Sequence, residues 1–385
     1  MKTLCEKPRL RRLLDHFSAV TDPHEQWRGA YPLPEMLLLV VCGTIASCDD
    51  YDDIVDWGEA HLAFLRRFRP YFHGIPCADW LRTLMNRVDP EVFSTCFMSW
   101  VHETWPDAPK LVAIDGKTAR RSHDRGAGKQ ALHLVSAFAT NERLVLGQEA
   151  VADKSCEQNA IPTLLERLAT AGALEGALVT IDAIACNPTI ADAITGSGAD
   201  VVLAVTENQP SLRGEIAAFF DVAPAESLKV HVDLDKDHGR IETRRCVVSH
   251  DVSWMRSNHR YPGEYRFTKL AALAMVEASR EVAGRPSIER RYDIAAAPSI
   301  QPTWPRLCAP IGASRTGFAG CSTWSSEKTS HACARAMAPP TWLLRRHFAL
   351  NPVRTAPDRR SLKTRRNRAS WDPHYLQALL APSAC

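Results

Sequence analysis

The chain lacks a long apolar run. Its longest, Met36 to Cys48, falls short of a bilayer span and reads as a core helix. It also lacks a dominant charge. With 47 basic and 44 acidic residues the net charge is +3, which excludes a global basic field, so any nucleic-acid contact must come from local patches. The 12 cysteines are scattered and show no zinc-type pairing, which excludes a zinc-finger or ribbon framework. Met1 to Phe17 is charged throughout and carries no export-signal pattern, so the thiols are expected to be reduced, in a cytosol. What is present is ordinary for a globular protein: 45% apolar and 24% charged residues. A length of 385 residues allows two or three domains and a sizeable core.

Two aspartates stand out, each closing a short apolar run. Asp115 follows Leu111-Val112-Ala113-Ile114, and Asp182 follows Ala177-Leu178-Val179-Thr180-Ile181. Runs of this kind read as buried strands. A carboxylate where such a strand emerges is held rigidly and can meet another from a neighbouring strand. Two carboxylates so placed repel unless a divalent cation neutralises them, and Mg²⁺ prefers oxygen ligands. The competing reading is that each Asp caps a following helix or turn, and spacing alone favours that one.

The rest of the chain divides by pattern. Residues 10–105 are mostly helical, with Leu37, Leu38, Val41 and Ile45 at helical spacing. From Leu111 the pattern turns strand-rich, with strands over 131–139 and 144–151 expected to form a meander with the Asp115 strand. A helix over 160–171, the Asp182 strand, a helix over 188–195 and a strand over 199–205 follow, which suggests a mixed α/β layer fold. Residues 228–295 carry further strand-like segments, among them 231–234 and 246–249. Residues 299–342 have many prolines, several tryptophans and cysteines, and no sustained period, which is out of place in a compact domain. Helical character returns at 343–353, and the run 359–368 is strongly basic.

The words around the two aspartates resemble those of DDE transposases of the ISAs-type, or H-repeat-associated, insertion-sequence family. They are AIDGKTARRS (113–122), HLVSAFA (133–139), DKSCEQNAIPTLL (153–165), TIDAIACNPTIA (180–191), GADVVLAVTENQPSL (198–212) and HGRIETRRC (238–246). HGIPCADW (73–80) is similar to a word of the family's associated N-terminal domain, and RHFALN (346–351) resumes the likeness. So many words in one order are far more specific than any single motif. Cys156 stands where Asn is usual, and Thr206 where Lys is usual.

The resemblance implies a ribonuclease H-like mixed sheet with flanking helices, preceded by a small helical domain. The expected division is a helical domain over 1–105, a catalytic core over 111–298 with a strand-rich insertion over about 228–295, the irregular stretch 299–342, and a helical, basic tail over 343–385. It implies Mg²⁺, with Mn²⁺ as a substitute, held by Asp115 and Asp182. It implies double-stranded DNA, both element ends and target, as partner, and a homodimer. It implies no membrane, and a cytoplasmic, nucleoid-associated place in a bacterium. Lys117, Arg120 and Arg121, just after the first Asp, and His238 and Arg240 are candidates for phosphate contact, as are Arg365 and Arg366 in the basic run; the competing readings are a solvated charged face for the first three, a strand edge bearing polar residues for His238 and Arg240, and a disordered solvated tail for the basic run.

The family's third carboxylate is a Glu in a word like H-W-x-I-E-N-x-L-x-W. It belongs near residue 315, where this chain reads Pro310-Ile311-Gly312-Ala313-Ser314-Arg315-Thr316-Gly317-Phe318. The codons CCC ATT GGG GCA TCG AGA ACC GGC TTC encode that stretch. Shifted by two bases they read H-W-G-I-E-N-R-L, and permitted codons continue through Met337 as an amphipathic, family-like helix. The expectation is therefore that residues 299–342 are out of frame, and that the missing Glu codon straddles Ser314 and Arg315. Of the surviving acids Glu242 is the best substitute, although its neighbours read as a strand; Glu207 is an outside candidate. Three functions compete: first a DDE transposase inactive in this copy, then a DNA-binding remnant with no enzyme activity, and last a metal-dependent nuclease on the same fold.

Overall fold

In the computed structural model the described residues are 8–23, 30–105, 107, 109–118, 133–151, 157–183, 186–237, 240–257, 267–282, 285–297 and 340–380. Six helices come first: α1 (Pro8–Ala19), α2 (Leu33–Ile45), α3 (Tyr51–Ala60), α4 (Leu62–Leu65), α5 (Ala78–Arg87) and α6 (Pro90–Thr104). Their starts follow local chemistry. Asp50 accepts a hydrogen bond from the Asp53 amide at the head of α3, and Asp89 accepts from Glu91 and Val92 at the head of α6, with Pro90 at the first helical position. The apolar run expected to be a core helix is α2, buried along nearly all of its length.

The strands β1 (Leu111–Thr118), β2 (His133–Ala139) and β3 (Leu144–Val151) form the expected antiparallel meander. Then come α7 (Glu157–Thr170), β4 (Leu178–Ile181), α8 (Pro188–Gly196), β5 (Asp200–Val205) and α9 (Pro210–Val222). The chain continues with β6 (Lys229–Asp237), β7 (Arg240–Ser249), α10 (Ser253–Ser257), β8 (Leu270–Val282) and β9 (Arg285–Ala296), and ends with α11 (Pro340–Arg354), α12 (Leu362–Trp371) and α13 (Pro373–Leu380).

All nine strands join one sheet in the order β3-β2-β1-β4-β5-β9-β8-β7-β6. β4 lies parallel to β1, and β5 parallel to β4. The first five strands therefore make the mixed, ribonuclease H-like sheet that the resemblance implies. The insertion does not form a separate layer. β9 pairs antiparallel with β5, and β8, β7 and β6 extend the same sheet outward. The helices α7, α8 and α9 add their apolar sides to the main core with β1, β4 and β5. On the other face Leu111, Leu178, Val202, Val248, Ala272, Ala274 and Ala295 form a smaller cluster.

The last helices return to the first ones. Phe348 of α11 is fully buried among Phe17, Phe93, Phe97 and Trp100, at ring-centroid separations of 5.6, 5.0, 4.8 and 5.4 Å. Arg345, one turn earlier, is also fully buried; it donates to the Asp49 carbonyl at 3.0 Å and lies over the Tyr51 ring. The same helix closes the outer edge of β3. Asn351 donates to the Val145 carbonyl and accepts from the Val145 amide, each at 2.9 Å, so one side chain supplies the pair of bonds a further strand would supply. Ser94 of α6 donates to the Gln148 carbonyl of the same strand at 3.3 Å. Gly147 of β3 lets α6 come this near: a Cβ there would meet the Met98 sulfur at 3.0 Å.

Candidate active site

The register of the two parallel strands places the paired aspartates. Leu111 lies beside Leu178, and Ile114 beside Ile181. The ladder ends there, and Asp115 and Asp182 are the residues that follow its last rung, on strands about 4.8 Å apart. Side chains alternate along a strand, so residues four apart share a face. Leu111 and Leu178 belong to the smaller cluster, hence Asp115 and Asp182 emerge on that same face of the sheet. Asp115 is half-buried and Asp182 exposed. Asp182 Oδ1 accepts from the Ala183 amide at 2.6 Å, which turns the chain out of the strand. The helix that follows is capped by Asn187, whose side chain accepts from the Ile190 amide, so Asp182 does not serve that purpose.

A second loop steadies the first. After β5, Asn208 donates to the Ala183 carbonyl at 2.7 Å, and Gln209 donates to the Cys186 carbonyl. Thr206 bonds the Asn208 amide oxygen at 2.8 Å. These residues lie in the family-like word GADVVLAVTENQPSL, but single-sequence reading offered no role for them. Their polar character directly after a buried strand was the available signal.

Asp293 was not foreseen at all. It sits on β9 beside Ala204, one residue past Leu203, which pairs with Ile181, so it lies close to the end of β4 where Asp182 follows. Asp293 is buried, with Arg291 at 3.5 Å. Burial pushes its carboxyl up to about 6, against the pull of Arg291. The Cys186 thiol in the Asp182 loop is pushed up to about 12 by burial and by the Asp293 charge.

Glu242 does not join these residues. It lies on β7, opposite Asp235 and Arg280, and the strand order puts β7 five spacings from β1. At about 4.8 Å per spacing that is about 24 Å, far beyond a shared cation. A motif word shows that Glu242 is in a strand, but only the sheet order shows which one. Glu207 lies in the loop after β5 and pairs with Arg213 at 3.4 Å. Ser314 and Arg315 lie outside the described residues.

The basic candidates separate. Arg365 and Arg366, expected to face DNA, are buried in α12. Arg365 bonds Asp358 at 2.8 Å and the Val353 and Arg354 carbonyls at 2.7 and 3.1 Å. Burial alone would raise the Asp358 carboxyl; hydrogen bonds from Tyr375 and Arg365 outweigh it and hold it well below the ordinary carboxylate range. Arg366 donates to the Thr44 carbonyl at 3.3 Å and to Asp49 at 3.4 Å. Arg365 ties α12 to the end of α11 and the segment after it, Arg366 ties α12 to the end of α2, and the exposed charges of the basic run are those of Arg359, Arg360 and Lys363. Lys117 lies on β1 opposite Leu134, and Arg240 on β7 opposite Asp237; the side chains of both, and all of Arg120, Arg121 and His238, lie outside the described residues.

A half-buried carboxylate within β1 and an exposed one just past the end of the neighbouring parallel strand suit a hard cation. Mg²⁺ is commonly held by one or two carboxylates and keeps several waters. Among the described residues no group of three or more His, Cys, Asp or Glu is placed to hold a metal.

A model of the "Transposase DDE domain" family matches residues 106–260, and one described as "DDE_Tnp_1-associated" matches residues 14–101. The chain is 34% identical over 242 residues to the Escherichia coli K12 protein called "H repeat-associated putative transposase YbfD", across 62% of this chain and 94% of that one. This chain belongs to the DDE transposase family. The "H repeat-associated putative transposase YhhI", also from Escherichia coli K12, is 34% identical over 62% of this chain and 63% of its own length. An "Uncharacterized protein in dhlA 3'region" of Xanthobacter autotrophicus is 34% identical over 71% of this chain and 91% of its own length. Among the described residues of the transposase, no helix is long and apolar enough to cross a membrane.

Proposed function

We propose that this chain descends from an active insertion-sequence transposase that binds its element ends and performs metal-dependent DNA cleavage and strand transfer, and that this copy has lost the activity. The observation that supports the reading is the parallel ladder whose last rung, Ile114 beside Ile181, is followed on each chain by an aspartate, Asp115 within β1 and Asp182 just past β4. Asp115 and Asp182 would hold Mg²⁺, or Mn²⁺ in its place. When bound, such a cation supplies activation of the attacking oxygen and stabilisation of the leaving one. Asn208 and Gln209 keep the Asp182 loop in position through its carbonyls. Lys117, Arg120, Arg121, His238 and Arg240 would meet phosphates, as would the exposed Arg359 and Lys363.

The loss of activity rests on the missing Glu word near residue 315 and the frame that restores it. Two acids from the family pattern survive, and Glu242 does not replace the third. A second reading follows from the same observation: a remnant that binds element ends without cutting them.

The test is to resequence the DNA for residues 295–345 and to compare this chain with its frame-restored form on DNA from the gene's own flanks. The expected result is Mg²⁺-dependent nicking and strand transfer by the restored form, their loss in its Asp115→Ala variant, and salt-sensitive binding without cleavage by the chain as given. Cleavage by the chain as given, abolished by Asp115→Ala, would show this copy to be active. A coding sequence with no alternative frame would remove the explanation for the missing Glu.

A further inference from the structure

The two ends of the sheet are treated differently. β3 is closed by Asn351 and Ser94, whereas β6 is the last strand on the other side, and among the described residues no strand pairs with its outer edge. β6 is long and regular. Nine consecutive residues pair with β7 without a bulge, and the strand holds no proline. Edge strands are ordinarily shortened, bent or covered, because their unpaired amides and carbonyls recruit further strands. The side chains add to this openness. Val230, Val232 and Leu234 share one face and are 47, 56 and 56% exposed. Ile288 on β9, 67% exposed, lies in the Leu234 row through Thr243 and Ser279 and widens the same apolar face.

We infer that the outer edge of β6 is a self-pairing surface, on which a second copy of this chain adds its own β6 antiparallel and continues the sheet across a two-fold axis. The sequence of the strand selects this occupant. A two-fold axis normal to the sheet keeps every residue on its own face and pairs residue i with residue j when their numbers share parity. With Val232 on the axis, Val230 meets Leu234, Lys229 meets Asp235 and His231 meets Asp233 of the other copy. Apolar positions face apolar ones, and both basic positions face acidic ones. With Asp233 on the axis instead, two like charges meet at the centre, which is unfavourable. A strand drawn from an unrelated protein would have to match this order of charges by chance; a second β6 matches it by symmetry. Strand addition of this kind takes its affinity from main-chain bonds and its specificity from alternate side chains.

The inference rests on the edge geometry and not on the catalytic reading. Its test uses the full chain without DNA, followed by sedimentation equilibrium over a range of concentrations. A monomer–dimer equilibrium is expected. Val232→Lys places two like charges on the axis and is expected to abolish the dimer while leaving the circular dichroism spectrum unchanged. Lys229→Asp alone and Asp235→Lys alone are each expected to raise the dissociation constant about tenfold or more, since every dimer carries the altered pair twice. The double variant Lys229→Asp/Asp235→Lys restores the opposite charges in this register and is expected to recover the dimer. A chain that stays monomeric, a dimer indifferent to these variants, open-ended oligomers, or association that needs DNA would each overturn the inference.

Discussion

The two edges of the sheet carry similar backbone chemistry and meet opposite fates. At β3 the unpaired groups are taken up by α6 and α11, and the strand becomes part of a core shared with the N-terminal helices. At β6 they face outward beside exposed valines. A sheet edge becomes a folding element when side chains from another element supply the missing bonds, and an association surface when none do. The word RHFALN (346–351), where the family likeness resumes, seats Phe348 in the aromatic cluster and Asn351 on β3.

The covered edge should break most severely. Phe348→Ala removes the ring at the centre of the aromatic cluster and is expected to cost about 3–5 kcal/mol, a large share of the stability of any domain. Chemical denaturation should show an early transition in the helical part. Asn351→Leu keeps the volume but leaves the Val145 amide and carbonyl unpaired in a buried place. About 2–3 kcal/mol of destabilisation is expected, read from the same titration, with amide exchange on β3 accelerated. If Asn351→Leu proved neutral, the edge would not depend on that side chain.

Acid should loosen the covered edge through His347. Burial lowers its imidazole pKa from 6.5 to about 3, and the charges of Arg354 and Arg346 push it the same way. The folded state therefore binds the proton less readily than the unfolded chain. Its contribution is intact above pH 6.5 and is lost as the pH falls toward 3. Melting temperatures of the protein and of His347→Gln should converge in acid, and a constant gap between them would contradict this origin. At the open edge the smallest stability effect is expected. Val232→Lys should leave the denaturation midpoint of the monomer within about 0.5 kcal/mol, since its side chain packs on little within one copy. Together these variants separate a surface that holds one chain together from one that joins two.

Much of the core sheet was legible in the sequence. The meander, α7, α8 and β5 follow from short apolar runs and from the alternation between them. The two aspartates were legible as positions after buried runs; Asp182 does follow the end of β4, whereas β1 continues past Asp115 to Thr118. The basic run was misleading. Counting charges at 359–368 suggests a phosphate-binding surface, yet Arg365 and Arg366 point inward onto Asp358, Asp49 and backbone carbonyls. Charge reveals what a residue can bind, and helical phase within the tertiary fold decides what it meets. Asp293 escaped notice for the converse reason, since Tyr292-Asp293-Ile294 reads as a strand and nothing local marks the strand it pairs with.

By itself the sequence determined where the core strands and helices lie along the chain, which residues carry carboxylates after buried runs, and that a family word is missing near residue 315. These are local properties of backbone preference, side-chain chemistry and coding. Only the tertiary structure decided that the strand of Asp115 runs parallel beside the strand before Asp182, that Glu242 lies across the sheet from both, and that one edge is closed while no strand among the described residues covers the other. Register and strand order are set by pairings between residues far apart in the chain, and those pairings are selected by the packing of the whole.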